Sequence, residues 1–441
     1  MSIQQTQIPS TQPVPLRRSS GWLHLRRNLF CLSMLLISGC LSGASALSAS
    51  EVRTRGMAMI VAGWNFDLLS WEVNALTEKL RALLNQPAHG LPYAEAVGLV
   101  QDYLARAQQI RTLENEISSS FSEQGQQSTP EITELQQQIT ALRASQQHNR
   151  PTVEQILEGQ ITYELRREGL QWANMAFPPV QFTFVEPPRK LVISPRTHIT
   201  TIYTQMLAAE MSIDQIEQSE AAYQERDQVS AYITNIGGLG AFPTMVIDQA
   251  SLAWVLSTIA HEWTHNYLTL FPLGINYLTS PDLMTINETV ADIVGNEIGD
   301  RALHTFYPGE VPPPVAPPTV TTPTDPDAPP PFVFAEEMRA TRIQVDNLLA
   351  LGKVEEAERY MEARRLVFVD HGYRLRVLNQ AYFAFHGSYG TSPASTSPLG
   401  PKLTQLRRAM PDLPTFLQAV RGITSVAELD AILIEWQANP Q

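Results

Sequence analysis

Residues 251–268 read SLAWVLSTIAHEWTHNYL and residues 281–298 read PDLMTINETVADIVGNEI. In the first stretch Leu252, Val255, Leu256, Ile259 and Trp263 recur at helical spacing, and Asp248 or Ser251 stands where a helix cap belongs. His261 and His265 are i and i+4, one turn apart on one helix face. Two imidazoles so placed can reach one metal ion at about 2.0–2.1 Å. Glu262 is adjacent, and its carboxylate can reach a metal-bound water without itself ligating. The second stretch has its own apolar stripe, Ile286, Val290, Ile293, Val294 and Ile298. It sets Glu288 and Asp292 one turn apart. Glu288 can complete a His2Glu set, and Asp292 is then placed to accept the free ring N–H of a ligand histidine. The loop Pro272–Pro281 brings the second helix back antiparallel to the first. The expected ligands are His261, His265 and Glu288, binding one Zn2+ per chain. In the competing reading these are ordinary polar positions on helix faces. An HExxH does arise by accident, and the fitting ExxxD lowers that risk.

Upstream, residues 177–250 predict a small β-sheet. Val180–Val185 alternates like a half-buried strand, Pro187-Pro188 turns the chain, and Leu191–Ile193 looks like the return strand. A helical stretch around Ile202–Glu225 precedes the strand Ala231–Ile236. Gly237–Gly240 then loosens the backbone ahead of Thr244–Ile247, and it can serve as an edge strand for an extended peptide. Residues 40–176 read as helical. Leu68, Leu69, Trp71, Leu76, Leu80, Leu83 and Leu84 follow helical spacing. Ile110, Leu113 and Ile117, and then Ile132, Leu135, Ile139 and Leu142, make two short heptad runs around the polar Ser118–Pro130. They predict an antiparallel helical hairpin over about 101–146, a structural arm or a docking arm for a protein partner. Another helix is expected from Thr152 to about Met175. Downstream of the zinc-binding helices (251–305), residues 308–331 hold 11 prolines, so 306–332 reads as a surface loop or linker. Residues 333–441 are helical again. The fold class is α+β, mostly helical.

The residues His261, Glu262, His265, Glu288 and Asp292 resemble the pattern of the gluzincin metallopeptidases over about 50 residues, Ser251 to Asp300. The resemblance implies a zincin-like core with a small sheet packed on the active-site helix. It also implies metal-assisted hydrolysis of a peptide or protein substrate. In that chemistry zinc lowers the pKa of its water to about 7, and Glu262 takes a proton from that water and passes one to the leaving amine. The oxyanion needs a second donor, for which His386, Tyr389 and His371 are the candidates in that order. A weaker similarity links Asn379-Gln380-Ala381 and Tyr389 to bacterial predicted-aminopeptidase families. No GxMEN-type segment for reading a substrate amine is present, so trimming and internal cleavage both stay open. The alternative to an enzyme is an envelope module in which zinc only staples two helices, or a coiled-coil scaffold.

The beginning of the chain predicts export. Residues 1–28 carry Arg17, Arg18, Arg26 and Arg27 and no acid, and an apolar run from Leu29 to Ile37 follows. Ile37-Ser38-Gly39-Cys40 resembles the bacterial lipobox, which implies a signal peptide over 1–39, lipidation of Cys40 and anchoring at the membrane of the cell envelope. Ala44-Ser45-Ala46 allows ordinary cleavage and secretion instead, and an uncleaved anchor is the third reading. Both cysteines, Cys31 and Cys40, fall in this region, so the rest of the chain has no disulfide. No apolar run reaches the ~20 residues of a membrane span. A formal net charge of −13 argues against nucleic acid as a partner.

Overall fold

The computed structural model describes residues 49–124, 130–172, 175–311 and 332–438. The expected signal peptide 1–39, the expected lipidation site Cys40, the alternative cleavage site Ala44–Ala46 and proline-rich residues 312–331 lie outside them. The chain falls into two units, residues 1–55 and 56–441. Of the first, only the opening turns of helix α1 (Ala49–Ile60) are described.

The second unit is α+β and mostly helical. Helix α2 (Leu68–Asn85) is capped by Asp67, whose carboxylate accepts from the Ser70 N–H. Its predicted leucine row is helical but faces outward: Leu69, Leu80, Leu83 and Leu84 are exposed. The helix docks instead through the buried Lys79, whose Nζ donates to Glu154 at 2.7 Å and to Glu158 at 2.8 Å. Helices α3 (Tyr93–Gln124) and α4 (Pro130–Arg167) form the expected hairpin. Glu114 meets Arg143 across it, and nearer its base the Tyr103 hydroxyl and the Gln146 amide share the Asp248 carboxylate. Ile110, Ile132 and Ile139 are buried along it. The helix expected from Thr152 to Met175 is not separate. It continues the second arm through Pro151 and stops at Arg167, because Gln171–Trp172 (β1) and Met175–Ala176 (β2) pair as a short antiparallel ribbon.

The single predicted sheet is two three-stranded sheets. β3 (Phe182–Phe184) and β4 (Arg189–Pro195) do not return on each other across Pro187-Pro188. β3 runs parallel to β8 (Thr244–Val246), which pairs antiparallel with β7 (Gly238–Leu239). β4 lies between β5 (Tyr203–Leu207) and β6 (Val229–Asn235), all antiparallel. The physical reason lies on the far side of β3. Its Phe182 and Phe184 N–H groups donate to Glu158 and Glu154 of α4, which close that edge to any strand. The stretch expected to be helical from Ile202 begins as β5. Helix α5 (Ile213–Asp227) starts only at Ser212, where Ser212 and Gln215 make a reciprocal capping box.

The main core packs α4, β3 and β8 with helices α6 (Leu252–Leu268), α8 (Pro281–Phe306), α12 (Leu399–Ala409), α13 (Leu413–Val420) and α14 (Val426–Ala438). The short α7 (Pro272–Ile275) joins α6 to α8. Helices α9 (Phe334–Ala350) and α10 (Val354–Asp370) build a smaller core with α11 (Gln380–His386). Asn379 caps α11 and ties it to β6, accepting from the Tyr382 N–H and donating to the Ala231 carbonyl. That anchor sets residues 385–391 over α6 and α8.

Candidate metal centre

Ser251 caps α6, accepting from the Trp254 N–H, while Asp248 is taken by the hairpin. Of the predicted stripe, Val255, Leu256, Ile259 and Trp263 are buried and Leu252 is partly buried. In the stripe of α8, Ile286, Val290, Val294 and Ile298 are buried and Ile293 is partly buried. The two helices run antiparallel in direct contact. A Cβ on Gly295 would lie 2.8 Å from both the His261 Cβ and the Ser257 carbonyl oxygen, so only glycine allows this approach.

That contact brings three donor atoms together. The Nε2 atoms of His261 and His265 are 3.0 Å apart, and Glu288 Oε2 lies 3.7 and 3.6 Å from them. The circle through these three atoms has a radius of about 2.0 Å, the length of a zinc–nitrogen or zinc–oxygen bond. No other group of three or more possible ligands is found among the described residues.

The groups behind the donors fix their orientation. His261 Nδ1–H donates to Asp292 at 3.2 Å, as the sequence predicts. His265 Nδ1–H donates to Asn287 Oδ1 at 2.8 Å, a partner the sequence reading missed. The Asn287 amide is itself oriented by donating to the Leu273 carbonyl. Both Nε2 atoms therefore face inward. The Tyr277 hydroxyl, also missed, donates to Glu288 Oε1. Glu288 Oε2 is buried and has no hydrogen-bond partner. A buried carboxylate oxygen facing two imidazole nitrogens is costly unless a positive charge, a proton or a metal ion, sits among them. Burial alone would push the His261 imidazole down, but Asp292 and Glu288 outweigh it and raise it to about 10. Burial would push Glu288 up, yet the two histidines hold it well below the usual carboxylate range. Both shifts mark a site built for positive charge.

Glu262 is buried, and its carboxylate makes no hydrogen bond to the described residues. A Cβ on Gly238 would lie 2.5 Å from Glu262 Oε1, so β7 passes directly beside the carboxylate. Burial raises Glu262 above the usual carboxylate range, against the pull of His261 and His265. Tyr389 reaches the same place from the far end of the chain. Its ring centroid is 6.4 Å from that of His261. The following residues are pinned to α8, with Gly390 N–H donating to Thr289 and Thr391 to Asp292. Burial keeps the Tyr389 phenol protonated far above its usual range. These groups line a cavity of 770 Å³, whose walls include Lys190, Met206, Trp254 and Phe385.

His386 and His371 are not at the cavity. The His386 ring packs on Tyr382 at 4.2 Å and near Tyr232, and its Nε2 is buried without a partner. His371 stacks on Phe332 at the far end of α10. Of the three expected oxyanion donors, only Tyr389 lines the cavity with His261, His265 and Glu288. The position of His386 has a consequence for stability. Burial depresses it to about 4, from an ordinary histidine value of about 6.5. The folded state thus binds this proton less well than the unfolded state, and stability falls as pH drops from 6.5 towards 4, by up to about 3 kcal/mol. Urea unfolding of His386→Phe should show a gap to the parent that widens across that window. A gap independent of pH would mean that this histidine is solvated.

No family model, curated protein or solved structure matches the chain.

Proposed function

We propose that the protein is a zinc-dependent peptidase of gluzincin type. The reading rests on one observation above the others: Glu288 Oε2 is buried without a hydrogen bond and lies 3.6–3.7 Å from two imidazole nitrogens that are themselves 3.0 Å apart. His261, His265 and Glu288 would hold the ion. When bound, zinc supplies a Lewis acid and brings the pKa of water at the site to about 7. Three protein ligands, with no fourth among the described residues, favour a catalytic site over a structural staple, which closes its coordination with four.

The remaining chemistry belongs to the side chains. Glu262 is unligated and beside the ligands, where it can take the proton of an attacking water and deliver it to the leaving amine. Asp292 and Asn287 hold the two imidazoles in one tautomer. The Tyr389 phenol is placed to donate to the oxyanion. β7 offers an edge to an extended substrate, with its backbone against Glu262. The expected setting is the bacterial cell envelope, reached by export and held by a lipid on Cys40, or secretion after cleavage at Ala46.

The test is digestion of a diverse peptide mixture, read by mass spectrometry, with zinc content measured on the same protein. The expected result is about one zinc per chain, and cleavage that stops on chelation and returns with zinc. Bound zinc with no cleavage of any peptide would shift the reading to a non-catalytic envelope module in which the metal is structural.

A further inference from the structure

The chain has four lysines. Three are committed to carboxylates: Lys79 to Glu154 and Glu158, Lys353 to Glu356, and Lys402 to Asp430. The fourth, Lys190, makes no ion pair and no hydrogen bond to the described residues. It stands on β4 opposite Met206 of β5 and lines the same cavity as Glu262 and the histidines. Its Nζ rests 5.4 Å from the centroid of the Phe385 ring, a weak attraction beside that of a counter-ion. Its charge reaches far enough to act on the Glu262 carboxylate.

A half-buried ammonium without a counter-ion is a poor resting arrangement and a good receiving one. The acids of the cavity leave it unmatched. Glu288 faces the two histidines and Tyr277, Asp292 is engaged by His261 and Thr391, and Glu262 is reserved for the proton. Apart from Glu262, which the proposed reaction uses, the cavity therefore has one spare positive group and no spare negative one to receive a substrate ammonium. We propose that Lys190 is the anchor for a substrate carboxylate, so that the preferred substrates are peptides carrying negative charge near the scissile bond. This deepens the peptidase reading and rests on it. The carboxylate has two sources, the α-carboxylate of a chain end and an Asp or Glu side chain, and each implies a different enzyme. The first gives trimming from the C-terminus, the second an internal cut beside an acidic residue.

The experiment measures binding apart from turnover. Three probes share an N-terminal fluorescein and the core Ala-Phe-Leu-Ala-Ala: the free acid, its C-terminal amide, and the amide with Glu as the last residue. Their affinities are read by fluorescence anisotropy on the parent protein, on Lys190→Met and on Lys190→Arg, with and without zinc and at low and high salt. A charge-assisted pair in a cleft should give the favoured anionic probe about tenfold tighter binding than the neutral amide, fading with salt. Lys190→Met should erase the preference and Lys190→Arg should keep part of it. Preference for the free acid alone identifies the chain end, and preference for the Glu amide identifies the side chain. Equal affinities on the parent protein, a preference that survives in Lys190→Met, or no measurable binding of any probe overturns the assignment. The same peptides are then followed for cleavage. Cleavage indifferent to charge would leave the peptidase and remove the anchor, whereas a Lys190-dependent binding preference without cleavage would do the reverse.

Discussion

Glu262→Gln should lower kcat/KM for peptide cleavage by roughly 10²–10⁴-fold, the usual loss when a positioned general base is removed, with zinc content unchanged. Glutamine keeps the size of the side chain and the clearance to Gly238, but it cannot hold a proton between water and leaving group. The ion should stay because Glu262 is outside the triangle formed by His261, His265 and Glu288. Stability should hold or rise slightly, since the substitution removes a buried carboxylate that has no hydrogen-bond partner among the described residues. Parallel measurement of hydrolysis, metal content and thermal unfolding separates the possibilities. Loss of zinc along with activity would make Glu262 a ligand or a structural support. Activity within a few-fold of the parent would leave the proton to another group.

The largest effect on stability is expected away from the cavity, at Lys79. Its ammonium sits between Glu154 and Glu158 at 2.7 and 2.8 Å, and all three residues are buried. Burial pushes Glu158 up to about 7 even with Lys79 beside it. Lys79→Met leaves two buried carboxylates facing each other, and removing one partner of such a cluster costs about 3–5 kcal/mol. The cost should be greatest near pH 8, where both carboxylates must stay charged. It should shrink as the pH falls, because in the variant a carboxyl can neutralise itself by taking up a proton. Urea unfolding at pH 8 and pH 5.5 tests this. Adding Glu154→Gln and Glu158→Gln should recover much of the loss, since both amides can still accept from the Phe184 and Phe182 N–H groups. A small penalty at both pH values would mean that water reaches the cluster.

What was legible in the sequence was what is local. His261 and His265 share one helical turn, Glu288 and Asp292 share another, and the apolar stripes of α6 and α8 state how the two turns face each other. Asn287 was written beside Glu288, but nothing local says which imidazole it meets. Tyr277 stands in the connecting loop, where periodicity carries no signal. The strands were found at Phe182, Leu191, Ala231 and Thr244, whereas their partners were not. Pairing depends on which edges are closed, and β3 is closed by carboxylates 24 and 30 residues away. β5 was missed because five residues following a proline-bounded turn carry too little pattern, although Ser212 and Gln215 announce the true start of α5. The leucines of α2 have the right period and the wrong destination, because a charged residue chose the docked face. His386, expected as the first candidate for the oxyanion donor, packs among its aromatic neighbours away from the cavity.

The sheet edges carry a further consequence, for how the molecule behaves in a crowd. β3 is sealed by Glu154 and Glu158, and β6 by Glu220 and Arg376 at Ile233 and by Asn379 at Ala231. At β5, Phe66 donates to the Met206 carbonyl and Ala208 donates to Trp64. Of the outer edges of the two larger sheets, only β7 is left without such a guard among the described residues. It is two residues long and lies against a cavity wall. An open edge recruits neighbouring chains when it is long and flat. This one is too short and too sheltered to recruit a second copy's sheet, so the fold does not offer itself as a template for fibres.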